Sequence, residues 1–218
     1  MRPQLGLFIA LIAFVGTHFL LSHPLRGALV RKMGEKAFSG FYSLVAILTF
    51  GAAIYFYRAI GRETPLWIAG DWVWIVGALL MWLGAILFVG SLFGNPAFPG
   101  ARGPRGGPTG VFAVTRHPMM WGFALWALVH LVTVATPKAV VFDTAILVLA
   151  LGGALGQDYK KGRLMGDAWH EWSAQTAFVP FTRGFANPGM VALVGGTLLW
   201  LVATWLHPMP VGVWRFVG

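Results

Sequence analysis

The sequence contains no cysteine and few charged residues. The absence of thiols excludes disulfides, thiolate metal sites and cysteine catalysis. Only 11% of the 218 residues are charged, which is less than half of the roughly 25% found in soluble domains. Acidic residues are the scarcest, with 7 Asp and Glu against 16 Lys and Arg, and the formal net charge is +9. A chain with so little ionic surface is not expected to fold as a soluble domain.

Apolar residues make up 57% of the chain and are concentrated in long segments. Most segments approach the ~20 residues that a helix needs to cross a hydrocarbon core of ~30 Å. The pattern predicts an all-α, polytopic transmembrane helix bundle of about six helices, forming a single domain over residues 1–218. The predicted membrane segments are Leu5–Leu21, Phe41–Tyr57, Trp67–Phe93, Met119–Ala135, Val140–Leu155 and Met190–Leu206.

The positive charge is distributed unequally between the two sides of the predicted bundle. In a membrane protein this pattern indicates topology rather than nucleic-acid binding, because Lys and Arg collect in cytoplasmic loops. We therefore expect a multi-pass protein with its larger loops in the cytoplasm, in contact with lipid and with no nucleic-acid partner. The richer side carries Arg26, Arg31, Lys32, Lys36, Arg102, Arg105, Arg116, Lys160, Lys161, Arg163 and Arg183, against Arg2, Arg58, Arg62, Lys138 and Arg215 on the other.

Two of the predicted cytoplasmic loops are long. The stretch Asn95–Thr115 is so rich in Gly and Pro that it predicts no regular element. The stretch Gln157–Asn187 combines mixed charges with aromatic residues, which favours a short helix at the membrane interface.

Histidines are the main candidates for chemistry inside the membrane, because a buried polar side chain needs a partner, water or a metal. His18 and His23 lie about 140° apart around one helix, so the two side chains do not point comfortably at one metal. Pairing across helices is easier, either His18 with His130 or His23 with His117. Two imidazoles suit haem iron better than zinc, since haem supplies four nitrogens itself. Hydrogen-bonded structural histidines are the alternative.

The tripeptide Arg116-His117-Pro118 opens the fourth predicted membrane helix. Pro is favourable at the first helical position, and the unpaired N–H groups at such a helix end attract anions. Together with the charge of Arg116 this pattern predicts a binding site for a phosphate, a carboxylate or a lipid head group. The alternative is that Arg116 only anchors the helix at the membrane interface.

Four stretches in a fixed order give the chain a resemblance to a known family. They are GTHFLLSHPLR (16–26), MGEKAFSGFYSLVA (33–46), TRHPMMWGFALWALVH (115–130) and the run from GDAWHEW to VPF ending at Phe181. On these motifs the chain resembles the NnrU family of bacterial membrane proteins, whose plant relatives are the ζ-carotene isomerases.

The resemblance implies a haem b held by two histidines, with the reduced iron supporting cis–trans isomerisation of a polyene. His130 matches the second ligand, within the pattern W-x-L-x-H that begins at Trp126. The first ligand is His18 or His23, and His18 is favoured by its depth in the membrane. The implied substrate is an apolar small molecule, the implied location is a bacterial inner membrane, and the bacterial branch is linked to nitrogen-oxide metabolism. The redox partner stays open.

The chain is also similar to isoprenylcysteine carboxyl methyltransferases and phospholipid methyltransferases, on the RHPxxxG motif and the charged segment that ends in VPF. That resemblance implies S-adenosylmethionine binding near Arg116, His117 and Asp158. The sequence departs from it around Gln157 and Asp158, where a glutamate pair is expected. A non-catalytic haem sensor or an assembly factor for respiratory complexes is the remaining alternative.

Overall fold

A computed structural model describes residues 2–98 and 106–217 of the chain. All regular structure within these residues is helical, and each of the six predicted apolar segments coincides over most of its length with one helix. The predicted all-α bundle is therefore confirmed. The helices are α1 (Pro3–Ser22), α2 (Arg26–Met33), α3 (Glu35–Ala59), α4 (Asp71–Ser91), α5 (Val111–Val114), α6 (Pro118–Thr133), α7 (Pro137–Met165), α8 (Asp167–Gln175), α9 (Met190–Trp205) and α10 (Trp214–Val217).

Four of the described helices, α1, α3, α4 and α7, are long and apolar enough to cross a membrane, and α6 and α9 are shorter apolar helices. Large apolar side chains cover the outside of these helices, including Ile47, Leu48 and Leu198, each more than half exposed. Exposing so wide an apolar surface to water is unfavourable, whereas contact with lipid chains is not. The chain is a membrane protein.

Two helix boundaries differ clearly from the prediction. Helix α4 begins at Asp71, not near Trp67, because Gly70 has an extended conformation. Helix α7 runs on to Met165, through residues predicted to lie in a loop, because this polar extension is rich in good helix formers and ends only at Gly166, where φ is +55°.

The loop between α4 and α6 also differs from its prediction. The Gly- and Pro-rich stretch Asn95–Thr115 contains one turn of helix, α5, whose apolar side chains join the buried core. Arg102 and Arg105, which were assigned to the cytoplasmic side, lie outside the described residues. The short helix predicted within Gln157–Asn187 is confirmed as α8.

The chain divides into two compact units, each with its own packing. The first comprises residues 1–68 and 134–149, and α1 packs against α3 within it. A Cβ on Gly6 would lie 2.5 Å from the ring of Phe56, so glycine is what allows the two helices to approach. Further along, the ring centroids of Phe14 and Phe50 are 5.1 Å apart.

The second unit comprises residues 69–133 and 150–218, with α4 packed between α6 and α9. Small residues again allow close helix contacts, as expected for helices packed in lipid. A Cβ on Gly122 would lie 3.0 Å from the carbonyl oxygen of Gly84, and one on Gly196 would lie 2.5 Å from the Cα of Ile86. Phe112 of α5 and Trp169 and Trp172 of α8 lie in one buried core with residues of α4, α6 and α9.

Candidate functional site

The residues that precede α6 are held in place by the chain segment that follows α8. The buried hydroxyl of Thr115 donates to the carbonyl oxygens of Ala177 at 3.2 Å and Phe178 at 2.6 Å. The backbone N–H of Arg116 donates to the same Ala177 carbonyl at 2.9 Å, and the indole of Trp121 donates to Phe178 at 2.8 Å. These bonds set the direction of the two side chains that open the helix.

Arg116 and His117 converge on one carboxylate, that of Asp158 on α7. The Arg116 guanidinium donates to both Asp158 oxygens, from Nε at 3.0 Å and from Nη2 at 2.7 Å. Its Nη1 donates to the carbonyl of Thr176 at 3.2 Å. Nε2 of His117 donates to Oδ1 of Asp158 at 2.8 Å. We call Arg116, His117 and Asp158 the carboxylate cluster.

The anion in the carboxylate cluster is the Asp158 side chain itself. The sequence predicted a phosphate, carboxylate or lipid head group at the N-terminus of α6, and in the structure the Asp158 carboxylate already neutralises Arg116. The cluster is largely shielded, with side-chain exposures of 14% for Arg116, 0% for His117 and 23% for Asp158. The cluster therefore connects α6, α7 and the segment after α8, as a structural ion pair does.

One atom of the carboxylate cluster keeps a binding capacity. Nδ1 of His117 is buried and makes no hydrogen bond to any described residue. Because Nε2 donates to Asp158, the tautomer of a neutral ring that fits this bond has its lone pair on Nδ1. A small pocket with room for about one water molecule adjoins the cluster, lined in part by Asn95, Met120 and Gln157.

His18 and His23 both lie at the end of α1 in the first unit, and each has one nitrogen engaged locally. Nδ1 of His18 donates to the carbonyl of Phe14 at 2.7 Å, and its ring lies 5.3 Å from that of Tyr42. Nδ1 of His23 is 2.8 Å from the hydroxyl oxygen of Ser22. Nε2 of His23 is buried and without a hydrogen-bond partner among the described residues.

His130 lies on the last turn of α6 in the second unit. Its Nδ1 donates to the carbonyl of Trp126 at 2.8 Å, and the rings of the two residues are 4.2 Å apart between centroids. A carbonyl oxygen only accepts hydrogen bonds, so the proton of the neutral ring sits on Nδ1 and the lone pair on Nε2. His18 has the same arrangement with respect to Phe14.

The donor set of these histidines fits an axial ligand of haem. A backbone carbonyl that holds Nδ1–H fixes the tautomer and orientation of a metal-binding imidazole. Within the described part of the chain, no group of three or more His, Asp or Glu side chains is placed to hold a metal ion by itself. Haem needs only axial ligands from the protein, because its porphyrin supplies four nitrogens.

The structure brings together some of the predicted site residues. Arg116 and His117 share a partner in Asp158. The predicted pairs His18 with His130 and His23 with His117 each draw on both units, and they stay predictions. Sequence reasoning assigned no role to His207, whose ring lies 6.4 Å from that of His130 between centroids. Its position after an apolar segment, in the dipeptide His207-Pro208, was the available signal.

Comparison with known proteins decides the family. The family described as "NnrU protein" matches residues 6–215, nearly the whole chain. The chain belongs to the NnrU family. A relative of this NnrU chain, the chloroplastic 15-cis-zeta-carotene isomerase of Arabidopsis thaliana, is 21% identical to it over 192 residues. That alignment covers 84% of the NnrU chain and 51% of the relative, so the chain spans about half the length of this protein. No solved structure matches the NnrU chain.

Proposed function

We propose that this NnrU-family chain is a membrane haem b protein that isomerises a cis double bond of an apolar polyene. The observation that carries the proposal is the imidazole of His130, placed in an apolar helix with Nδ1–H held by the carbonyl of Trp126 and Nε2 left to bind iron. The name of the plant relative, a 15-cis-zeta-carotene isomerase, supports the choice of substrate class.

The surroundings of His130 suit this chemistry. A bound haem would supply the electronic change that weakens the double bond of the substrate. The protein would hold His130 through the Trp126 carbonyl and through ring contact with the Trp126 indole. Rotation about a double bond adds and removes no atoms. The site therefore needs no acid or base, and among the described residues the hydrogen-bond partner of His130 is a backbone carbonyl, that of Trp126.

Turnover tests the proposal directly. Haem-loaded protein, reduced under anaerobic conditions, is incubated with a 15-cis polyene, and the isomers are separated by chromatography. We expect conversion to the trans isomer by reduced wild-type protein and none by His130→Ala. Haem binding without conversion would contradict the isomerase activity and favour the non-catalytic haem sensor or assembly factor. A role in nitrogen-oxide metabolism through this haem requires nitric oxide to bind at the same iron, and no binding would contradict it.

The second candidate function is that of a membrane methyltransferase using S-adenosylmethionine. The observation in its favour is that Arg116, His117 and Asp158, which that resemblance places near the cofactor, are in direct contact beside a pocket. Calorimetric titration with S-adenosylmethionine tests it. Binding that is lost in Arg116→Ala supports a methyltransferase, and no binding at millimolar cofactor removes it.

We also propose that the chain spans a bacterial inner membrane with its larger loops in the cytoplasm. Because the sequence has no cysteine, single cysteines introduced at exposed positions report their own side of the membrane. In intact cells stripped of their outer membrane, Arg62→Cys should react with a membrane-impermeant maleimide and Lys32→Cys should not. The reverse labelling pattern would show the opposite orientation.

A further inference from the structure

The short segment between α1 and α3 lies at a membrane surface. Both of these helices are long and apolar enough to cross a membrane, and they pack against each other within the first unit. Since α1 ends at Ser22 and α3 begins at Glu35, the residues between them stay at one end of this helix pair. Helix α2 makes up most of that segment. It is therefore placed at the level of the lipid head groups.

Contacts at both ends of the turn hold α2 against the start of α3. Arg26, the first residue of α2, forms an ion pair with Glu35, the first residue of α3. The guanidinium carbon of Arg26 also lies 5.7 Å from the ring centroid of the buried Phe38. Gly34 makes the turn between the two helices with a φ of +81°, which glycine adopts without strain. The side of α2 that is turned away from α3 is thus a defined surface.

The described part of the protein leaves α2 uncovered. None of its residues is buried. Leu25, directly before the helix, is 45% exposed and Met33, its last residue, is 37% exposed. Leu25, Leu29 and Met33 follow each other at intervals of four residues, so their side chains lie on one side of the helix. An apolar row of this kind suits the boundary between lipid head groups and acyl chains.

Positive charge on and beside α2 is not compensated by the protein. Arg31, Lys32 and Lys36 are exposed, and within the described residues none of them forms an ion pair. Arg26 differs from these three because Glu35 already neutralises it. Arg31 lies about 160° around the helix from Leu29, so charge and apolar row occupy different sides. Uncompensated Lys and Arg beside a membrane helix attract anionic lipids.

We propose that α2, with Arg31, Lys32 and Lys36, is a binding surface for the head groups of anionic phospholipids. The phosphodiester of such a lipid supplies the negative charge that these three cations lack. Zwitterionic phospholipids carry the same phosphate beside a neutralising amine, so the surface should prefer lipids of net negative charge. This inference does not rest on the proposed function, because neither haem nor polyene enters it.

Fluorescence quenching in the reconstituted full-length protein tests this proposal. Because the sequence has no cysteine, Ala28→Cys on the exposed surface of α2 carries a single fluorophore. The labelled protein is placed in phosphatidylcholine vesicles that contain an equal, minor fraction of brominated phosphatidylglycerol or of brominated phosphatidylcholine. We expect the anionic lipid to quench at least about twofold more strongly, because it collects at the three cations. Molar salt should abolish this preference, since it screens charges beyond about 3 Å.

Two variants made in the labelled protein locate the charge responsible. Replacing Arg31, Lys32 and Lys36 together by glutamine should remove the preference for the anionic lipid. The matched control, Arg58→Gln with Arg62→Gln, removes two exposed cations beyond the other end of the α3 span and should keep it. Equal quenching by the two lipids when all cations are present would overturn the proposal.

The aqueous quencher iodide provides the remaining outcome. A label on α2 that iodide quenches and that neither brominated lipid quenches would overturn the proposal and make α2 a solvated surface. If the triple glutamine variant fails to fold, the comparison of low with molar salt decides the question, because it uses the protein with all of its cations. A preference for the anionic lipid that molar salt leaves unchanged would also contradict the proposal.

Discussion

The contacts of the carboxylate cluster predict that Asp158→Ala is strongly destabilising. Removing Asp158 strips Arg116 and His117 of their shared partner, while their side chains remain 14% and 0% exposed. Breaking a buried ion pair by removing one partner costs about 3–5 kcal/mol. Because 23% of the Asp158 side chain is exposed, we expect the lower end of that range, about 3 kcal/mol.

The assay is thermal unfolding in detergent, followed by tryptophan fluorescence or circular dichroism. In chains of this length about 1 kcal/mol lowers Tm by roughly 2–4 °C, so Asp158→Ala should lower Tm by about 6–12 °C. The Tm of Asp158→Asn should lie between those of the wild type and Asp158→Ala, because its amide oxygen still accepts the His117 N–H but carries no charge. Pairing Asp158→Ala with Arg116→Met should cost less than the sum of the single changes.

A second ion pair of the same unit provides the control. Asp71 lies 3.4 Å from Arg215, and 81% of its side chain is exposed. Exposed pairs contribute about 0–1 kcal/mol, so Asp71→Ala should lower Tm by no more than about 4 °C. Equal shifts for Asp71→Ala and Asp158→Ala would refute the reasoning that burial makes the carboxylate cluster a structural element.

Two further predictions use the same unfolding assay. Gly196→Ala places a Cβ 2.5 Å from the Cα of Ile86 and should lower the free energy of unfolding by about 1–3 kcal/mol, because α4 and α9 become overpacked. Gly51→Ala is the control, since nothing lies within 4 Å of its new Cβ, and it should be neutral or stabilising. Equal effects of the two changes would argue against close packing at Gly196. Thr115→Val removes the hydroxyl that donates to Phe178 at 2.6 Å and should cost about 1–3 kcal/mol; an unchanged Tm would show that this buried bond does not hold the α6 entry.

The helices could be predicted well because membrane segments have one dominant requirement, an apolar run long enough to cross the lipid. The boundary errors occur where that requirement stops applying. The end of α7 is polar, and its helical state follows from good helix formers up to Gly166 rather than from hydropathy. The α5 turn forms because Val111 and Phe112 enter a core that local sequence does not reveal.

The candidate site was predictable only in part, for a related reason. The motif Arg116-His117-Pro118 predicts the start of a helix and places the charge of Arg116 there, and this signal is local in the sequence. Its partner Asp158 lies 42 residues further along the chain, and only the resemblance to methyltransferases suggested it. No spacing rule connects His130 to His207, because α7, α8 and α9 lie between them in the chain.

The absorption spectrum of the protein purified from haem-replete cells, recorded before and after dithionite, tests haem binding most directly. We predict a Soret band that sharpens on reduction, together with resolved α and β bands, at about one haem per chain. The spectrum of His130→Ala, purified in parallel, should show the haem lost or five-coordinate. A colourless wild-type preparation that also fails to take up added haemin would contradict the account.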